Sequence, residues 1–399
     1  MFGKSFNTLL KKGSSGLKIA FYRTKSNRYS IAALLGATED LDFSVVLVDD
    51  KEKLKSLSRD TYIALSFMSP EAHEHLRLAK ELINKGYRVI AGGPHASARG
   101  EQLLKAGFFA VFIGEAEESF RTFITRPEPG LWKTSEIIDL NKFPPFSMKH
   151  GLFSPIEITR GCPFSCNYCQ TPRLFGRRIR HRSLEQIIAF SRKSVELGRK
   201  VARFISPNAF GYGSANGVIP DVKTIEELLK GVREVGMREV YFGSFPSDVR
   251  PESVTEDVLE LVKNYCDNRT IVIGLQSGSE RILKLLRRGH TVEGAVKAIE
   301  LIARKGFTPY VDMIFGFPFE TQEDIQKSLE ISLKLHEKYG AIIHGHTFMP
   351  LPGTPFENLK AVISPENLKV IGRLAARGII KGQWQRQIEI SKKIGNLEA

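Results

Sequence analysis

The run Arg160-Gly161-Cys162-Pro163-Phe164-Ser165-Cys166-Asn167-Tyr168-Cys169 constrains this chain more than any other feature. Three of the four cysteines crowd into eight positions with the spacing Cx3Cx2C, and Cys266 stands far downstream. Four thiols in 399 residues cannot make a disulfide scaffold, so the cluster points to metal or redox chemistry. A structural zinc ion normally takes four protein ligands. Three thiolates on one short loop better suit an iron-sulfur cluster that leaves one iron open; structural zinc and unliganded thiols are the plainer alternatives.

Length and composition narrow the setting. At about 100–200 residues per domain the chain divides into two or three units, and its 42% hydrophobic and 26% charged residues exclude disordered, fibrous and membrane classes. Residues 1–12 lack the apolar core and cleavage site of a signal peptide, so a cytoplasmic location with no membrane partner is expected. The net charge of +14 is uneven: residues 151–220 carry 11 basic and 3 acidic side chains. Such a field attracts anions, whether a cofactor, an anionic small-molecule substrate or RNA, unless it is only a solvated face.

Residues 17–130 alternate short apolar runs (17–22, 43–48, 62–67, 87–91, 109–113) with helical periodicity such as 71–85, the pattern of a doubly wound α/β domain. Residues 1–16 precede it as an extension. Residues 131–150 form a proline-containing linker. From 151 to 358 six strands are predicted (155–159, 202–206, 239–242, 270–274, 309–315, 341–349), each followed by a helix, which suggests a partial parallel barrel. Residues 359–399 form a helical, basic tail. The cysteine loop falls directly after the first barrel strand, at the end where such folds bind ligands.

With those residues in view, 150–358 resembles the radical S-adenosylmethionine superfamily. The resemblance rests on the cysteine motif, on Tyr168 before the third cysteine, on Gly274-Leu275-Gln276-Ser277-Gly278-Ser279, and on Asp312-Met313-Ile314-Phe315-Gly316-Phe317-Pro318. It implies a [4Fe-4S] cluster on Cys162, Cys166 and Cys169, S-adenosylmethionine chelating the open iron, a 5'-deoxyadenosyl radical, and an external electron donor such as flavodoxin or ferredoxin. It further implies that Tyr168 lies near the adenine, Gln276 and Ser277 bond the ribose, the backbone at Phe315 and Gly316 meets the adenine edge, and Arg250 pairs with the methionine carboxylate. The usual Gly-Gly-Glu run is replaced by Ser206-Pro207-Asn208, leaving Asn208 for the amino group.

The first domain resembles the cobalamin-binding class of the same superfamily, through Ser66 on its third strand, the Gly92-Gly93 turn and Gly114-Glu115-Ala116-Glu117. This implies cobalamin against Ser66, Gly92, Gly93 and the chain near Glu115, although the Asp-x-His-x-x-Gly motif is absent. The alternative is a domain that only docks on the barrel or recognises substrate. The resulting expectation is cobalamin-dependent C-methylation of an unactivated carbon. Alternatives are a cobalamin-independent rearrangement or ring formation, and an RNA-modifying or RNA-binding protein using Arg173, Arg177, Arg178, Arg180, Arg182, Arg192, Arg199 and Arg203. Methylthio transfer is disfavoured because residues 1–150 contain no cysteine for an auxiliary cluster. His73, His75, His95, His344 and His346 show no ligand spacing; His344 and His346 alternate along one predicted strand and share a face.

Overall fold

The computed structural model describes residues 16–395; the expected extension at 1–16 falls almost wholly outside them. Six parallel strands open the chain: β1 (Lys18–Tyr22), β2 (Ser44–Val48), β3 (Tyr62–Ser66), β4 (Arg88–Gly92), β5 (Ala110–Ile113) and β6 (Gly130–Lys133). They are ordered β2-β1-β3-β4-β5-β6, so the strand order reverses beside β1, where a doubly wound sheet binds its ligands. Buried residues cover both faces of this sheet, as a parallel sheet requires.

The second domain is an open α/β barrel. Its strands are β7 (Ile156–Glu157), the antiparallel pair β8 (Thr159–Arg160) and β9 (Arg180–His181), then β10 (Val201–Ile205), β11 (Glu239–Tyr241), β12 (Thr270–Gln276), β13 (Thr308–Phe315), β14 (Ile342–Thr347) and β15 (Ile380–Lys381). β11-β10-β7 and β12-β13-β14-β15 run parallel. Beyond the end of β11, Val249 makes an isolated parallel bridge to Ile273 of β12. The barrel helices start where side chains satisfy their free N–H groups: Ser183, Asp221 and Thr291 cap three of them. Thr321 and Asp324 make a reciprocal capping box for Gln322–Tyr339, which ends on left-handed Gly340.

Strand alternation sorts the barrel side chains. On β13, Val311, Met313 and Phe315 join the core beneath the helices, together with Ile343 of β14. Tyr310, Asp312 and Ile314, and His344 and His346 of β14, are the alternate residues and face the lumen. The tail holds helices Pro365–Ala376 and Trp384–Gly395. Between them β15 pairs with β14, through Ile343 with Ile380 and His344 with Lys381, an extension that two residues carry too little periodicity to announce.

Candidate active site

The cysteine loop leaves β8 through Gly161, whose φ of +87° and close packing admit no side chain: a Cβ would lie 2.1 Å from the Arg178 carbonyl oxygen. Backbone bonds from Cys162 N to Gly176 O, Cys169 N to Cys166 O and Asn167 N to Leu286 O hold the loop against the barrel rim. All three thiols are free. Burial raises the Cys162 and Cys169 thiols and the neighbouring cysteine sulfurs raise them further, while Arg250 and Arg288 pull the other way. Cys266 follows helix Glu256–Tyr265, where burial pushes its thiol up to about 12, and it lines a lumen cavity with residues at the starts of β11 and β12, away from the cluster loop.

Around the loop the expected contacts divide into two groups. Tyr168 packs on Phe317 with ring centroids 6.3 Å apart. Gln276 ends β12 at a register shift with φ of +75°, a strained conformation for a non-glycine residue; its amide makes no hydrogen bond among the described residues, so it is available to a ligand. Ser277 is not available in this way. It is fully buried, and its Oγ accepts from Ser279 N at 3.2 Å and meets Ser328 Oγ at 3.3 Å.

Asn208 likewise serves the protein. Its amide donates to Gly217 O (2.8 Å) and Ser253 Oγ (2.7 Å), and its Oδ1 accepts from Arg250 N (3.1 Å). This corrects the expectation of a free amide for the amino group. The N–H groups of Gly316 and Phe317 donate to Glu320 Oε2 at 2.7 and 2.8 Å, while Phe315 O and Gly316 O accept from Phe348 N and Val362 N. The backbone expected to read adenine is thus paired internally. Arg250 is buried, stacks on Phe164 at 3.3 Å and pairs with Glu252 at 2.7 Å. Its Nε stays unpaired, as do Arg288 Nε and Glu252 Oε2. Orphaned buried polar atoms beside the cysteine loop fit a site that a polar ligand completes.

Between the domains lies a cleft of about 350 Å³ that gathers Ser66, Gly92, Gly93, Glu115 and Arg160. Leu174 and Phe175, just beyond the cysteine loop, line its barrel side. Gly92 looks onto open space: the nearest atom to an added Cβ would be Phe112 Cβ at 4.0 Å. Gly93 differs, because its Cβ would lie 2.9 Å from Phe67 O at φ +92°; that glycine is required by the protein's own turn. Glu115 is engaged by Arg160 (2.9 Å) and Arg180 (2.7 Å), and Arg160 also binds Glu117 (2.7 Å) and Glu157 (2.6 Å). No histidine among the described residues lines the cleft.

The basic segment is partly spent inside. Arg182 is buried and donates to Glu157 O and Phe143 O, and Arg180 is held by Glu115, so neither can neutralise an external phosphate. Arg173, Arg177, Arg178, Arg192 and Arg199 remain exposed. His75 stacks on Phe67 at 4.8 Å, and burial lowers His95 to about 4; both are packing residues. His344 and His346 instead converge on Asp312. Sequence spacing missed this cluster because Asp312 lies on the neighbouring strand, and the alternation of the two histidines was its only signal.

Residues 156–331 match the family model described as the Radical SAM superfamily. A tRNA-2-methylthio-N(6)-dimethylallyladenosine synthase of Geobacter sulfurreducens is 29% identical over 357 residues, 86% of this chain and 77% of that protein. The radical S-adenosylmethionine methyltransferase TsrM of Kitasatospora setae, solved with cobalamin and a [4Fe-4S] cluster, shares the fold at TM-score 0.64 and 15% identity, over 86% of this chain and 77% of that one. The cobalamin-dependent S-adenosylmethionine radical enzyme OxsB aligns at TM-score 0.61 and 16% identity, over 96% of this chain and 61% of that one. No helix among the described residues is long and apolar enough to cross a membrane.

Proposed function

Because its barrel belongs to the radical SAM superfamily, and so implies a [4Fe-4S] cluster, S-adenosylmethionine and an electron donor, we propose that this enzyme methylates an unactivated carbon with the help of cobalamin. When bound, the cluster and S-adenosylmethionine supply a hydrogen-abstracting 5'-deoxyadenosyl radical, and cobalamin a transferable methyl group. Cys162, Cys166 and Cys169 would hold the cluster, Tyr168 and Gln276 would flank S-adenosylmethionine, and Arg250 would present its orphaned Nε toward the ligand. The observation that carries the methylation reading is the cleft: the open strand ends at Ser66 and Gly92 face the barrel across a space that reaches the residues following the cysteine loop.

Anaerobically reconstituted protein should hold about four irons and retain hydroxocobalamin. The absence of a cleft histidine predicts that the bound cobalamin has no protein imidazole on cobalt and shows a correspondingly altered visible spectrum. Gly92→Leu should lower cobalamin occupancy with iron unchanged. Cys162→Ala should abolish 5'-deoxyadenosine formation, and Cys266→Ala should not. Retention of iron and S-adenosylmethionine cleavage without any cobalamin would overturn methyl transfer and leave the first domain a docking or substrate element.

An RNA substrate is the second reading, favoured by exposed Arg173, Arg177 and Arg178 beside the cysteine loop and by the tRNA-modifying relative. If these side chains neutralise phosphates, RNA affinity should fall with salt with a slope of about −0.7 per contact, and Arg177→Ala should reduce it. Sulfur insertion fits this chain poorly, since residues 1–150 supply no thiol for a second cluster.

A further inference from the structure

Asp312, His344 and His346 place three ligating atoms within 4.8 Å of one another in the barrel lumen. That spacing alone would admit a divalent cation. The surrounding hydrogen bonds favour a different use. Thr347 N donates to Gln387 Oε1 at 2.8 Å, which turns the Gln387 amide nitrogen toward His346 Nδ1 at 3.3 Å. His346 Nδ1 is therefore an acceptor, and the proton of the neutral ring sits on Nε2, 3.4 Å from Asp312 Oδ1. A metal would need that Nε2 as a lone pair.

His344 meets the same carboxylate oxygen through its other nitrogen. Its Nδ1 lies 2.8 Å from Asp312 Oδ1, so the proton sits on Nδ1 and the lone pair is left on Nε2. That Nε2 makes no hydrogen bond among the described residues. Gly382 passes close to the ring, and a Cβ there would lie 3.2 Å from Nε2. The ring lines a lumen cavity of about 920 Å³ together with Tyr310, Tyr241, Phe245 and Arg203. A carboxylate that fixes an imidazole tautomer and stabilises its protonated form is the arrangement of a general base.

We propose that Asp312 and His344 form a proton-accepting pair in the lumen for a planar substrate that presents an acidic proton between Tyr310, Tyr241 and Phe245. The substrate's bond to that proton breaks and a His344 Nε2–H bond forms, the electron pair staying on the substrate atom that held the proton. Asp312 balances the imidazolium, while His346 and Gln387 act as positioning residues. The inference stands apart from the radical reading, since the cavity opens among the starts of β11 and β12, away from the cysteine loop.

The test uses full-length protein labelled with 15N-histidine, treated with diethyl pyrocarbonate, which modifies unprotonated imidazole nitrogens. Long-range 1H–15N spectra should show His344 as the Nδ1–H tautomer and His346 as Nε2–H, and peptide mapping should find His344 modified several-fold faster than His346. Asp312→Asn should abolish that preference. Gln387→Leu, which removes only the lock on His346, should raise His346 reactivity and leave His344 unchanged. The proposal is overturned if His346 reacts as fast as His344 in the unaltered protein. It is equally overturned if one equivalent of Zn²⁺ protects both histidines in a Cys162→Ala, Cys166→Ala, Cys169→Ala variant, where no cluster thiols compete. Neither readout involves S-adenosylmethionine cleavage, so this failure is distinct from failure of the radical reading.

Discussion

Glu320 shows how one side chain sets a binding wall. Its Oε2 accepts the Gly316 and Phe317 N–H groups, while Oε1 is buried without a partner. Burial pushes the carboxyl up to about 7 against the pull of those two donors. Because the folded value is raised, the native state binds the extra proton between the ordinary carboxylate range and about pH 7, so stability is greatest at the acid end and falls as pH rises through that window. Denaturant unfolding at about pH 5 and about pH 8 should show this decline, and Glu320→Gln, which keeps an acceptor without charge, should flatten it. Glu320→Ala leaves two N–H groups without their acceptor and should cost about 1–3 kcal/mol. The resemblance identified this strand end, but which of its polar groups were already taken depended on a side chain four residues on.

At the scale of elements, β15 changes the meaning of the tail. Its pairing covers β14 on the side away from β13. The helix behind it buries Trp384, 6% exposed, whose carbonyl accepts from Thr347 Oγ1 at 2.8 Å. Trp384→Ala should therefore destabilise the barrel by about 3–5 kcal/mol, seen as a lower urea midpoint. Gln387 on the same helix orients His346, so the tail reaches into the lumen chemistry. Helical periodicity was legible there; the strand between the helices was not, because its partner lies almost forty residues upstream.

Over the whole molecule, Arg160 ties the domains together. It is buried and faces Glu115 and Glu117 of the first domain and Glu157 of the barrel. Arg160→Ala would leave three carboxylates near one another with Arg180 and Arg182 to offset them, a loss of about 3–5 kcal/mol by the measure of broken buried pairs. Unfolding followed by first-domain and barrel probes should then separate into two transitions. If the transitions stay coincident and the midpoint does not move, the strut carries no such weight.

What the sequence by itself determined is whatever is local or periodic: the Cx3Cx2C loop, the two α/β units and the glycine turns, since spacing and alternation are set by neighbours along the chain. The tertiary structure decided which polar groups remain free. Ser277, Asn208, Glu115 and Arg182 all have the right chemistry for ligands, yet each is engaged by a partner distant in sequence. Asp312, His344 and His346 became a site only when parallel strands placed Asp312 beside His344. A buried hydrogen-bonding group must find a partner somewhere, and only the folded chain determines whether that partner is protein or ligand.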